Sequence, residues 1–437
     1  MPVHLPVAIL NIIAGARMYV LANDAPETDG IAFAQVWPGM DRFSARLVRI
    51  LELVPATTPV LISGDWGSGK TSLLRAVERR VQSMRSVVWF EAWRYDGQGS
   101  LLPALMRTVW DAAPADWRVG QDPSVLDRLM DAAFTVGMRV GPEVAKLAGV
   151  PMLGALLTPP RPGTAPTSTG KPVLEPAPDP VRALWESFSK LVREAWKDQA
   201  PPLILLDDLD RCDPHGMVGV LEHIRTLVAG DPDLHARFVV AIDRHIIVQA
   251  IGMKFSGISG YDGNRYLEKV FPLSFNLPAP NPGEVSRMVD HVWGKGMNRD
   301  DRDGLTQSLR DPVFANPRLI KRVVNKYRLV LQLESEVDEE ADPSRPVALR
   351  NRYLARWLAA SERWPRLRLL LVRQPDDFWE QLQKALLEGR SPDPEVETLL
   401  REQGARSWIL REILKENPRA NVLPYRDAEA RLTAVGL

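Results

Sequence analysis

The apolar positions of this chain change period several times, and each change predicts an element. Phe43, Leu47, Ile50, Leu51 and Val54 recur every three or four residues, one stripe of a helix over Asp41–Val54. Pro59–Ser63 is then apolar without interruption, too short for a helix and suited to a strand buried on both faces. Helical spacing returns over Ser72–Val81, and Ser86–Phe90 predicts a second strand. The stretch Leu101–Leu157 is mostly helical in pattern, whereas Thr158–Pro180 is crowded with Pro, Thr, Gly and Ala and has no period, as in a linker or exposed loop. Trp185, Phe188, Leu191, Val192 and Trp196 predict a helix leading into the apolar strand Leu203–Leu206.

Asp213-Pro214 has the chemistry of an N-cap and first-turn proline for a helix through Val228. Phe238–Ile242 and Phe271–Leu277 complete the strand signals. Strands alternating with helices predict an α/β fold, a doubly wound parallel sheet whose ligand edge lies at the strand C-termini. Beyond Leu277 only helical patterns remain, over Val285–Val292, Pro317–Leu331 and Leu349–Leu358 and onward to Leu437. The acidic run Glu334–Asp342 fits a solvated connector.

The chemistry sits at the ends of the predicted strands. Gly64-Asp65-Trp66-Gly67-Ser68-Gly69-Lys70-Thr71 follows the first strand with the spacing Gly-x4-Gly-Lys-Ser/Thr of a phosphate loop. Glycines let successive N–H groups curl around phosphates, Lys70 brings a point charge to the β/γ oxygens, and the Thr71 hydroxyl suits Mg²⁺. Ser72 begins a helix whose positive end faces the same anion. Leu203–Leu206 ends in Asp207-Asp208-Leu209-Asp210, a Walker B pattern. The first carboxylate of such a run holds the Mg²⁺ shell and the next can polarise the attacking water, roles that fall to Asp207 and Asp208.

Composition narrows the remaining classes. The 437 residues are 45% hydrophobic and 25% charged, with 55 basic against 55 acidic side chains, so no overall field draws the protein to nucleic acid or anionic lipid. One cysteine, Cys212, excludes an internal disulfide framework and fits a cytoplasmic setting. The six histidines are scattered without zinc-ligand spacing. Leu5–Ala14 lacks the basic leader and cleavage site of a signal peptide and is expected to be an ordered helix or strand. Leu147–Leu157 is too short to span a bilayer, so direct membrane insertion is not expected.

The chain resembles the KAP family of P-loop NTPases, signalling ATPases of AAA-like architecture. The resemblance rests on Asp65–Ser72, Phe90-Glu91-Ala92-Trp93-Arg94-Tyr95, Leu206–Cys212, Tyr266–Phe271 and Asn316-Pro317-Arg318-Leu319-Ile320-Lys321-Arg322, and it covers Asp24–Tyr327. It implies ATP rather than GTP, hydrolysis coupled to a conformational switch and, for bacterial relatives, roles at the membrane or in excluding phage. Paired transmembrane helices that many members carry between the two Walker motifs have no counterpart here. The expected architecture is a P-loop NTPase core over residues 1–285, a helical lid over 286–335 and a C-terminal helical region over 336–437.

Gly64, Asp65, Trp66, Gly67, Ser68, Gly69, Lys70, Thr71 and Ser72 are the expected nucleotide-binding residues, with Thr71 and Asp207 on the metal. Lys70 and Asp208 are the expected catalytic pair. Asp243 ends a strand, where it either senses the γ-phosphate or caps the helix Arg244–Met253. Arg318 opens a lid helix and resembles a second sensor. Trp93 and Arg94 follow a strand tip and are expected to pack rather than to reach a phosphate, and the Trp66 ring is expected to lie on the sheet. Lys269 or Arg265 can act in trans only in an assembly, and otherwise make ordinary helix ion pairs.

Arg345, Arg350, Arg352, Arg356, Arg363, Arg366 and Arg368 lie among Tyr353, Trp357 and Trp364, a composition that nucleic acid can use. The stripe Leu349, Tyr353, Trp357 and Leu358 instead puts those arginines on a wet helix face. The leading expectation is therefore an Mg²⁺-dependent ATPase switch in signalling or defence. A nucleic-acid-activated enzyme and an ATP-holding scaffold are the alternatives; a homo-oligomer or protein partner is left open.

Overall fold

The computed structural model describes residues 30–97, 101–122, 124–127, 129–131, 133, 180–257, 261–337 and 347–437. The expected N-terminal element over 5–14, the helical pattern over 134–157, the Pro-rich loop over 158–179, the acidic positions 338–342 and Arg345 lie outside them.

The described chain divides into two compact units, one of residues 40–278 and one of 279–437 with 30–39. Helix Pro282–Trp293 crosses position 285, the expected end of the core, and belongs to the second unit.

The first unit is built on five parallel strands, β1 Val60–Ser63, β2 Val87–Glu91, β3 Leu203–Asp207, β4 Arg237–Ile242 and β5 Leu273–Asn276, in the order β2-β3-β4-β1-β5. Every residue of β1 and β3 is buried, as is all of β4 after its first residue, which is why their sequences are apolar apart from an end residue, Ser63, Asp207 and Arg237. The edge strands β2 and β5 alternate between more and less covered positions. Helices cover both faces. Leu61, Phe90, Ile204, Leu206, Phe238 and Val240 share a core with helices Leu101–Ala112, Pro180–Ala195, Pro214–Gly230, Arg244–Lys254 and Gly263–Val270. On the opposite face helix Lys70–Val81 packs on β3 and β4 through a stripe that includes Leu73, Leu74, Val77 and Val81. The sheet is doubly wound, as expected.

Register aligns the strand tips. Ser63 pairs with Ile242, Leu206 with Val240 and Glu91 with Asp207, so the residues after β1, β3 and β4 emerge on one edge. Asp213 caps helix Pro214–Gly230 by accepting from the N–H groups of His215 and Gly216. Gly263–Val270 is a helix capped by Asp262, with Tyr266, Leu267 and Val270 on its buried side.

The second unit is helical among its described residues, with helices Pro282–Trp293, Arg299–Leu309, Pro317–Val337 and Val347–Arg363 preceding five shorter or later ones up to Pro418–Ala434. Its core is aromatic: Trp364 lies 5.8 Å from Trp408, which lies 5.4 Å from Tyr425, which lies 6.0 Å from Trp357. Two sequence expectations are corrected here. Glu334 is not a solvated connector residue, because its carboxylate takes a bidentate pair from Arg431 at 2.5 and 2.6 Å. The arginine-rich segment is the expected wet face only in part: Arg366 is exposed, but several of its neighbours are paired with acids. Arg356 pairs with Glu412, Arg366 with Glu402 and Arg368 with Glu429, while Trp357 and Trp364 are fully buried. Leu349, expected in the apolar stripe, is exposed and Leu354 is buried in its place.

Asp301 is 3% exposed and accepts from the Tyr327 hydroxyl at 2.5 Å and the Asn351 amide at 3.0 Å. Burial and the Asp301 charge together push the Tyr327 hydroxyl far above its ordinary pKa, so it remains a donor. Tyr327→Phe removes that donor from a buried carboxylate and is expected to destabilise the protein by about 1.5–3 kcal/mol, the range for hydrogen bonds to charged groups. Urea unfolding checks this, and an unchanged midpoint refutes it.

Candidate nucleotide-binding site

The loop between β1 and helix Lys70–Val81 is shaped by its glycines. Gly67 (φ 79°) and Gly69 (φ 96°) occupy the left-handed region, where a side chain is strained. A Cβ at Gly64 would lie 2.6 Å from Ser68 Oγ, so the loop closes tightly on itself. Gly69 is the N-cap of the helix and has no side chain to satisfy the first helical N–H groups, which leaves a positive helix end suited to an anion. Ser68 Oγ is buried with no hydrogen-bond partner. An orphaned hydroxyl inside a glycine-built loop at a helix N-terminus fits a phosphate group.

Lys70 is 8% exposed and its ammonium is fully engaged. Nζ donates to the Gly64 carbonyl at 3.0 Å and the Asp65 carbonyl at 3.4 Å, and pairs with Asp210 Oδ2 at 3.2 Å. Asp210 Oδ2 also accepts from the Asp243 N–H at 2.8 Å. Asp243 in turn accepts from His245 N–H through Oδ1 and from Trp66 N–H through Oδ2, at 3.0 and 3.1 Å. Asp243 is thus a helix N-cap, one of its two expected readings, and it also grips the phosphate loop. Asp210 was not among the expected site residues. Its signal was its place as the third acid of Asp207-Asp208-Leu209-Asp210.

The two acids at the tip of β3 have different surroundings. Asp207 is 1% exposed, hydrogen-bonds to the Thr71 side chain and accepts from the Asp208 N–H at 3.0 Å. Burial pushes its pKa up to about 6, opposed by the Thr71 bond. Thr71 and Asp207 are therefore adjacent oxygen donors of the kind Mg²⁺ takes. Among the described residues no group of three or more His, Cys, Asp or Glu side chains is placed to hold a metal. Asp208 has φ 56°, the left-handed region, and its Oδ1 pairs with Arg211 Nε at 2.9 Å. Burial raises its pKa, while Arg211 lowers it.

Two aromatic expectations are overturned. Trp66 does not lie on the sheet: it is 56% exposed, with the Arg211 guanidinium 5.5 Å from its ring centroid. Trp93 is 46% exposed rather than packed, because the chain turns into the short 3-10 helix Ala92–Tyr95 after β2. It is Tyr95 that packs there, stacked on Phe90 at 5.3 Å, and Arg94 pairs with Glu91. Arg265 pairs with Asp262 at 3.7 Å on its own helix, and Lys269 is exposed. Arg318 is half-buried in the first turn of Pro317–Val337, in the helical unit, and its N–H is capped by Asn316.

The profile of the KAP family P-loop domain matches residues 40–333, from the first residue of the nucleotide-binding unit into helix Pro317–Val337. The chain belongs to the KAP family. The phage T7 exclusion protein of Escherichia coli (strain K12) is 24% identical over 332 residues, which are 69% of this chain and 42% of that protein. The chain therefore spans less than half the length of that relative. A Walker-type ATPase of Pyrococcus abyssi is similar over 92% of this chain and 98% of that one, at 14% identity and a TM-score of 0.39. Among the described residues no helix of this KAP protein is long and apolar enough to cross a membrane.

The raised Asp207 pKa has a measurable consequence. The folded protein retains a proton that the unfolded chain releases near 3.8, so this contribution to stability is complete below that pH and is lost as pH rises to about 6. In Mg²⁺-free buffer, stability measured on Asp207→Asn minus that on the wild type is expected to increase by about 2–3 kcal/mol across this window. Parallel pH profiles for the two proteins rule the shift out.

Proposed function

We propose that this KAP protein binds MgATP on its phosphate loop, hydrolyses the γ-phosphate and uses turnover to drive a conformational switch. The observation that carries the reading is the convergence of the loop, Lys70, Thr71, Asp207 and Asp208 on one edge of the parallel sheet. The N–H groups of Gly64–Ser72 hold the phosphates, with Lys70 neutralising β/γ oxygens. Thr71 and Asp207 would hold Mg²⁺, which would supply positive charge against the phosphates. Asp208 takes a proton from the attacking water. The water oxygen forms the new bond to phosphorus, the bridging P–O bond breaks, and ADP leaves with its electron pair. Asp243 sets the shape of the loop from β4.

The likeness to a phage T7 exclusion protein supports a role in defence, with signalling the other use of such a switch. Arg318 is the proposed sensor through which ATP biases the helical unit. In this proposal the helical unit acts as a lid over residues 286–335, followed by a C-terminal region over 336–437.

Lys70→Ala is expected to abolish ATP binding in a folded protein, read by calorimetry alongside circular dichroism. Asp208→Asn is expected to retain MgATP affinity and lose turnover by about 10² or more, whereas Asp207→Asn weakens MgATP binding itself. Normal hydrolysis by Asp208→Asn would point to an ATP-holding scaffold or a different base. Hydrogen exchange over 313–331 is expected to slow with ATP in the wild type and to be insensitive to ATP in Arg318→Ala; equal slowing in both removes Arg318 from the switch.

A further inference from the structure

Resting on the ATPase reading, we propose that Arg211 is the positioning residue of the catalytic base: it fixes Asp208 and ties it to the phosphate loop through Trp66. Asp208 is the one residue other than glycine with positive φ among the described residues. Such a conformation is strained for a residue other than glycine and persists where the surroundings over-determine it. Arg211 provides that determination twice. Its N–H donates to the Asp208 carbonyl at 3.2 Å, and its Nε meets Asp208 Oδ1 at 2.9 Å, closing a four-residue turn through main chain and side chain.

The pairing selects one carboxylate oxygen. With Oδ1 engaged by Nε, proton acceptance falls to Oδ2, and the swing of the side chain is restrained. A base whose orientation is set before reaction avoids the loss of freedom that a freely rotating carboxylate pays at the transition state.

The far side of Arg211 looks to the loop. Its guanidinium is 5.5 Å from the centroid of Trp66, within the range of a cation–π contact. Trp66 sits two residues after Gly64 in the loop, and its N–H is held by Asp243 at the tip of β4. An aromatic residue left 56% exposed at this point has a use as the platform for that cation. Arg211 thereby joins the tips of β1 and β3, so a displacement of the loop is transmitted to the base.

A double-mutant cycle tests the proposal. Arg211→Gln is expected to lower kcat by about 10-fold or more while MgATP Kd stays within about 3-fold, and Arg211→Lys, which keeps the charge, to recover part of the loss. Because Arg211 acts through Asp208, Arg211→Gln is expected to have no further effect on the residual turnover of Asp208→Asn. Losses that multiply in the double variant overturn the proposal, since they mean that Arg211 acts on substrate independently of Asp208. Unchanged kcat in Arg211→Gln overturns it as well, and so does a loss of Kd equal to the loss of kcat. A wild type that binds no MgATP, or binds without turning it over, sinks the ATPase reading itself, a result visible before any Arg211 variant is made.

Discussion

A buried ammonium must be matched by acceptors and countercharge, and the edge of this sheet is organised around that requirement at Lys70. Two loop carbonyls and Asp210 satisfy it. The net worth of such a pair to stability is small, because desolvation offsets the Coulomb attraction, but removing one partner leaves an uncompensated buried charge that costs about 3–5 kcal/mol. Its main effect is geometric. Asp210 also takes the Asp243 N–H, and Asp243 takes the Trp66 N–H, so the loop after β1 is tied to the tips of β3 and β4. The left-handed glycines at 67 and 69 let the backbone follow that path without strain.

The same edge separates two adjacent acids. Successive side chains of a strand point to opposite faces, and the chain leaves β3 immediately after Asp207. Asp207 therefore stays in the sheet's covered environment beside Thr71, while Asp208 enters a left-handed turn and meets Arg211. One carboxylate is set among hydroxyl and phosphate-loop groups, the other beside a guanidinium at the rim. Different environments, rather than different residue types, divide metal binding from proton acceptance in the proposed chemistry.

Much of this edge was legible because its determinants are local. Glycine spacing, the lysine after it and an apolar run that ends in acids specify both Walker motifs, and full burial of β1 and β3 is why polar residues occur only at their C-terminal tips, Ser63 and Asp207. What escaped depends on partners distant in sequence or on strand order. Nothing in Trp66 itself says that its ring faces Arg211, which belongs to another strand tip. Arg299–Leu309 has so many charges that it passes for a turn, yet Asn298 caps it as a helix and Asp301 on it is buried under Tyr327 and Asn351. The role of Asp210 was hidden for the same reason: its partners Lys70 and Asp243 lie beyond the tips of β1 and β4.

The arginines of the helical unit show how composition misleads when pairing is unseen. Phosphate binding gains affinity by releasing counterions, which requires guanidiniums that are not already neutralised by the protein. Arg356 is bonded to Glu412, 56 positions away, and Arg368 to Glu429, 61 positions away, with the same Glu429 also holding the Trp357 indole at 2.7 Å. Moving these arginines onto a nucleic-acid backbone would strip a buried glutamate of its partner, a penalty of the kind that makes broken buried pairs costly. The aromatic residues that would stack on bases are committed to the core, Trp357 and Trp364 being almost wholly inaccessible. Arg356 and Arg368 thus belong to a charge-compensated helical core, and the chemistry this chain presents to a phosphate lies at the sheet edge, where Ser68 has a hydroxyl without a partner and a helix begins with no side chain to cap it.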